Sequence, residues 1–225
     1  MKVGTDAVLL GAWTQPEHAT SILDIGTGTG IIAIMLAQKS SANIDAIEID
    51  ADACIQAKEN SQHSPWADKI HIHHESLQRY TAKAGRTYDL IVSNPPYFID
   101  ASKPSETARL AARHTDYNLS FNELIDGVLS LLSPDGRFCV ILPNTEGQLF
   151  MDKAIRKDLF CNKLARVKTK PSKTEKRFMM EFSRKESTTQ EAILVIQEED
   201  TRYTQAYVEL TKDYYLGLKE FRNEP

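Results

Sequence analysis

The sequence predicts an α/β fold, a doubly wound and mostly parallel sheet with antiparallel strands at one edge. Three observations carry this. Short apolar runs alternate with helical segments between Ser21 and Leu142, the pattern of a parallel sheet covered on both faces. A glycine-rich turn, Gly26-Thr27-Gly28-Thr29-Gly30, joins the first apolar run to a helix. The last third is poor in helix and carries three extended segments, at about 162–169, 177–183 and 192–197. At 225 residues, 41% hydrophobic and 26% charged, the chain is long enough for a sizeable core, and one domain over 1–225 is expected.

Taken in order, Thr5 or Asp6 caps a short helix that runs to Trp13. Ser21 to Ile25 is the first strand, and Ile31 to Gln38 is a helix apolar on most faces that packs closely on the sheet. Ile44 to Ile49 is the second strand, and Asp52 caps a helix from Ala53 to about Ser61. Ile70 to His74 alternates and reads as the third strand, and Tyr88 to Ser93 is the fourth. A long polar loop runs from Tyr97 to about Asn118. Leu119 to Leu132 is a helix closed by Ser133-Pro134-Asp135-Gly136, then Arg137 to Leu142 is a strand and Glu146 to Lys157 a helix. Tyr203 to Leu218 ends the chain as an amphipathic helix.

Composition excludes several classes. No apolar run approaches the roughly 20 residues that span a bilayer, and Met1-Lys2-Val3-Gly4 lacks a signal-peptide core. Three cysteines, Cys54, Cys139 and Cys161, lie far apart with no Cys-x-x-Cys pair, which argues against disulfides and zinc and for a reducing cytoplasm. His71 and His73 share one face of a strand, but no cysteine or carboxylate spacing completes a metal site, so they read as structural. Within the net charge of −4 there is an asymmetry: from Lys163 to Lys185 nine Lys/Arg face two acids, a local +7 that leaves −11 on the rest. A basic segment on an acidic body is the footprint of a polyanion, with a lysine-rich solvated loop as the plain alternative.

The glycine turn is not a dinucleotide fingerprint, and no Gly-Lys-Ser/Thr follows to cradle a phosphate. Asp24, beside it, repels phosphate and suits a cationic or zwitterionic ligand. Glu48 follows Gly26 by 22 residues at the tip of the next strand, where an acid accepts both hydroxyls of a ribose. A nucleoside that carries an amino acid and a positive charge fits all three, and S-adenosyl-L-methionine is such a molecule. The plain alternative is a tight turn with no ligand.

Asn94-Pro95-Pro96-Tyr97 follows the fourth strand, at the carboxyl edge where open α/β sheets bind ligands. The tetrapeptide resembles a motif of enzymes that modify exocyclic or amide nitrogens, and such an amine is a poor nucleophile because its lone pair is delocalised. The resemblance implies that the Asn94 amide oxygen and the Pro95 carbonyl each accept one N–H bond, with the prolines stiffening the pair. Tyr97 offers a ring for a flipped base, worth roughly 1–3 kcal/mol of stacking.

This tetrapeptide resembles the Asp/Asn/Ser-Pro-Pro-Tyr/Phe motif of class I methyltransferases that modify exocyclic or amide nitrogens. The likeness sharpens over nearly the whole chain to the bacterial tRNA1(Val) (adenine(37)-N6)-methyltransferase family. It rests on Met1 to Trp13, on Gln62-His63-Ser64-Pro65-Trp66-Ala67, on Ser93 to Phe98, on Ala112-Arg113-His114, on Lys176-Arg177-Phe178-Met179-Met180-Glu181-Phe182, and on Leu210 to Leu216. The resemblance implies a Rossmann-like sheet of the seven-stranded type and S-adenosyl-L-methionine as methyl donor. It implies cofactor contacts at Asp24, Gly26, Thr27, Gly28, Glu48, Ile49, Ser76, Leu77 and Asn94, with catalytic positions Asn94, Pro95, Pro96 and Tyr97. Two departures stand out. Family members carry a basic, aromatic leader before the first block, expected to be missing here. Ser76 stands where an Asp commonly holds the cofactor's adenine amino group, a weaker neutral partner.

The expected activity is methyl transfer to N6 of an adenosine in a tRNA anticodon loop, where unpaired bases are easily splayed out. Lys168, Lys170, Lys173, Lys176 and Arg177 are the expected RNA contacts. Four lysines on four phosphates would give a log–log salt slope of about −3. A monomer with no metal and no membrane association is expected. One rival is a protein glutamine-amide methyltransferase acting on a release factor, which presents the same two amide hydrogens. Another is a non-catalytic RNA-binding protein of the same fold.

Overall fold

A computed structural model of the chain describes residues 4–96 and 119–215. The strands are β1 (Ser21–Ile25), β2 (Asn43–Glu48), β3 (Ile70–His74), β4 (Tyr88–Ser93), β5 (Leu132–Pro143), β6 (Phe160–Lys168), β7 (Glu175–Ser183) and β8 (Gln190–Val195). The helices are α1 (Thr5–Trp13), α2 (Ile31–Lys39), α3 (Ala51–Gln62), α4 (Leu77–Lys83), α5 (Phe121–Leu131), α6 (Asn144–Ile155) and α7 (Gln205–Thr211). All eight strands form one sheet in the order β3-β2-β1-β4-β5-β7-β6-β8. The antiparallel pairing expected toward one edge is present and comes from β7 alone, which opposes both β5 and β6. Beyond it β8 returns parallel to β6.

Both faces of the sheet are covered, so its central strands are apolar without alternation. On one face α5 and α6 set Leu124, Ile125, Val128 and Phe150 against Leu23, Ile91, Phe138 and Val140. Phe121, Phe138 and Phe182 surround Phe150 with centroids 5.3–6.1 Å away. On the other face α1, α2 and α7 bring Leu9, Leu10, Ala33, Leu36 and Tyr207 onto Ile22, Ile44, Leu90, Val92 and Ile141.

Local chemistry sets the element ends. The Ser120 hydroxyl and the Glu123 carboxylate form a reciprocal capping box at the start of α5, after which apolar residues recur at helical spacing. Several boundaries differ from expectation. Asp50, not Asp52, caps α3, because its carboxylate reaches Ala53 N at 2.8 Å. Gly4, with no side-chain cap, precedes α1 in place of Thr5 or Asp6. β5 begins at Leu132, ahead of the expected Arg137, because Leu132 already pairs with Tyr88; Ser133 to Gly136 then bulge out opposite Asp89 before Arg137 resumes the ladder at Leu90. The seven-residue α4 escaped the sequence reading, being too short to show periodicity. The expected polar loop 97–118 lies outside the described residues. The expected C-terminal helix 203–218 is the shorter α7, capped by the Thr204 hydroxyl and ended at Thr211, and its last expected residues, 216–218, lie outside the described residues too.

Candidate active site

The carboxyl ends of β1, β2, β3 and β4 open onto a cavity of about 560 Å³, a size typical of small-molecule sites. Each of these ends contributes a different kind of group. After β1, Gly26, Gly28 and Gly30 take φ of 69°, 57° and 80°, a left-handed region that disfavours a Cβ. This lets the turn fold back, with Gly26 N and Thr27 N donating to Ile47 O at 2.9 and 3.0 Å. Asn60 Nδ2 holds the Thr29 carbonyl at 2.8 Å.

At the end of β2, Glu48 is nearly buried and its two oxygens accept from Gly28 N at 2.8 Å and Asp50 N at 2.9 Å. Two backbone donors fix its carboxylate while leaving lone pairs for a ligand's hydroxyls. At the end of β3, Ser76 caps α4, its hydroxyl accepting from Arg79 N at 3.3 Å. The neighbouring Glu75 pairs with Lys83 and, at 2.9 Å, with Arg79. The hydrogen bond from Lys83 holds its carboxyl below the usual glutamate range. At the end of β4, the buried Ser93 hydroxyl donates to Ile25 O at 2.9 Å, tying the strand that presents Asn94 to the strand that presents the glycine turn.

Most expected site residues meet here. Gly26, Thr27, Gly28, Glu48, Ile49, Ser76, Leu77, Asn94, Pro95 and Pro96 line the one cavity. Tyr97 lies outside the described residues. Asp24 is not on the wall but fully buried beneath the turn, where its Oδ2 accepts from Thr27 Oγ1 at 2.5 Å. Its Oδ1 is buried with no hydrogen-bond partner, and burial pushes its pKa up to about 7. A carboxylate buried under the glycine turn and the Glu48 carboxylate on the wall favour a cationic ligand with hydroxyls, so the residues present fit an amino-acid nucleoside.

Sequence reasoning missed Gly4, Ala7, Asp50 and Leu119, which also line the cavity, as does Glu75 beside Ser76. Asp50 was signalled by its place two residues after Glu48. Gly4 and Ala7 carry no chemistry of their own and arrive through helix packing. His73, read as structural, meets Asp45 at 2.8 Å. Among the described residues no three or more His, Cys, Asp or Glu converge as metal ligands, and no helix is long and apolar enough to cross a membrane.

The expected RNA contacts flank the β6–β7 turn. Because β6 ends where β7 begins, at the same end of the sheet as Pro143, this turn shares the carboxyl edge with the cavity. Lys168 lies 3.8 Å from Glu175, Lys170 Nζ donates to Glu199 O at 3.0 Å, and Arg177 Nε donates to Asp6 Oδ2 at 2.7 Å. Lys173 and Lys176 are exposed and have no ion pair within 4.0 Å among the described residues.

Residues 3–157 match the model of the methyltransferase small domain. A tRNA1(Val) (adenine(37)-N6)-methyltransferase from Trichodesmium erythraeum is 47% identical over 96% of this chain and 91% of its own. Its counterpart from Bacteroides fragilis is 45% identical over 97% and 92%. The chain belongs to this methyltransferase family. Family membership makes the protein an enzyme, with S-adenosyl-L-methionine as its methyl donor. The crystal structure of a predicted O-methyltransferase from Agrobacterium tumefaciens superposes with a TM-score of 0.70, covering 92% of this chain and 96% of that one at 16% identity, a likeness of fold.

Proposed function

We propose that the protein transfers a methyl group from S-adenosyl-L-methionine to the exocyclic N6 of an adenosine in a tRNA anticodon loop, position 37 of tRNA1(Val), the substrate in its relatives' names. The observation that carries the reading is that Asn94, Pro95 and Pro96 share one cavity with the glycine turn and Glu48. Acceptors for an amine and a seat for a nucleoside cofactor therefore lie side by side.

The cofactor supplies an electrophilic sulfonium methyl. Glu48 would take its ribose hydroxyls and Ser76 with Leu77 the adenine end, while the Asp24 carboxylate, buried beneath the turn, would favour its ammonium through the local potential. Asn94 Oδ1 and Pro95 O would each accept one N–H of the target amine, so that its lone pair leaves the plane of the base and points away from both acceptors. Ser93 fixes where that pair sits, through Ile25 O. Catalysis is then positioning and exclusion of water, with no strong base required. Tyr97 is the proposed stacking ring.

Lys168, Lys170, Lys173 and Lys176 are the proposed phosphate contacts. Their turn stands two to three strand spacings from β4, roughly 10–15 Å, within reach of the backbone flanking a flipped nucleotide. That location and the relatives' names favour RNA over a glutamine amide. The test is in vitro methylation of total tRNA and of a release factor side by side. N6-methyladenosine in tRNA with no methylglutamine is the expected result. Methylglutamine alone, or RNA binding with no methyl transfer to any RNA, would replace the reading with a rival.

A further inference from the structure

Two of the sequence blocks that carry the family likeness, 171 residues apart at their point of contact, meet beside the cavity: Arg177 Nε of β7 donates to Asp6 Oδ2 of α1 at 2.7 Å. The pair is partly shielded, its side chains 29% and 20% exposed. Asp6 sits in the first turn of α1, a helix whose N-cap, Gly4, brings no side-chain hydrogen bond. Gly4 and Ala7, on either side of Asp6, form part of the cavity wall. The far end of α1 is fastened differently, by the Lys39 ammonium, which donates to Ala12 O at 2.8 Å and also to Thr14 O. Both ends of the helix are thus held by cations from other elements. Lys39 grips carbonyls directly, as expected at the negative end of a helix dipole, and Arg177 grips an acid at the positive end.

We propose that Arg177 is a positioning residue for the cofactor. Through Asp6 it fixes the first turn of α1, and with it the Gly4–Ala7 wall of the cavity. The inference rests on the reading of that cavity as the S-adenosyl-L-methionine site. It separates Arg177 from its basic neighbours: a phosphate taken by this guanidinium competes with Asp6, whereas Lys173 and Lys176 are exposed and have no such carboxylate within ion-pair distance among the described residues. One strand therefore carries a residue that serves the RNA side, Lys176, next to one that serves the cofactor side.

The test is calorimetric titration of the full chain with S-adenosylhomocysteine. Arg177→Gln and Asp6→Asn are each expected to raise Kd by about five- to tenfold. The double variant should be no weaker than either single one, since both remove the same link. Arg177→Lys, which keeps the charge, should recover most of the affinity. The Lys173→Ala/Lys176→Ala variant should bind S-adenosylhomocysteine as wild type does. Circular dichroism shows whether each variant is folded. Folded Arg177→Gln with wild-type Kd would overturn the inference, and so would single effects that simply add in the double variant. A wild type that binds no S-adenosylhomocysteine would instead overturn the cavity reading on which it rests.

Discussion

Asn94 stands half-buried at the end of β4, whereas Asp24 is wholly buried beneath the glycine turn. Their environments make different predictions. Removing one of two acceptors that matter only as the amine reshapes should cost rate and little cofactor binding. Asn94→Ala is expected to lower kcat by about 10²–10³, the scale seen for losing one preorganised polar contact to a transition state. S-adenosylhomocysteine affinity measured by calorimetry should fall by a far smaller factor than kcat does. For Asp24 the sign follows from burial, which raises its pKa from 3.8 to about 7. The folded protein holds this proton more tightly than the unfolded chain, so the group's contribution to stability is greatest below about pH 4 and is lost as pH rises through 7. A bound ammonium favours the ionised form, so cofactor binding releases a proton. Affinity for S-adenosylhomocysteine should therefore increase from pH 5.5 to about pH 7 and level off above it. Asp24→Asn should flatten that profile and weaken binding at every pH.

At the scale of elements, α4 and α5 show why part of the site could not be read from the chain. Leu77, on the cavity wall, packs against α5 at a glycine. A Cβ on Gly127 would lie 2.5 Å from Leu77 Cδ2. Gly127→Ala should gain roughly 1 kcal/mol of helix propensity and lose about 1–3 kcal/mol to overpacking. The expected outcome is a lower melting temperature and, since Leu77 must shift, weaker S-adenosylhomocysteine binding. A glycine inside an amphipathic helix is visible in sequence, but which leucine it meets is not. The β6–β7 turn makes the opposite case, because its cations were legible as a +7 segment while their pairing was not. If Lys173 and Lys176 carry two phosphate contacts, replacing both by alanine should make the log–log salt dependence of RNA binding shallower by about 1.4–1.8.

For the whole molecule, the doubly wound sheet was readable because a parallel strand covered on both faces is a continuous apolar run, as in Leu90 to Val92, and helices fill the intervals. The single reversed strand was harder to place, since extended segments in sequence do not reveal which neighbour they join. The core of the site was readable where chemistry and position coincide, at Gly26, Glu48 and Asn94. The remainder of the cavity is assembled by distant packing. α1 reaches it with Gly4 and Ala7, held by Arg177 of β7 and packed through Val8 and Ala12 against Leu210, Tyr214 and Tyr215. Three blocks from the start, the last third and the end of the chain thus converge on one helix, a reason for their joint presence that no single block displays. The central claim is that Asn94 and Pro95 hold an adenine amine of tRNA for methylation. Its most direct test is mass spectrometry of nucleosides from tRNA incubated with S-adenosyl-L-methionine and either the wild type or Asn94→Ala. N6-methyladenosine formed by the wild type at one anticodon-loop position, and about 10²–10³-fold more slowly by the variant, is the predicted result. Equal amounts from both proteins, or none from the wild type, would contradict it.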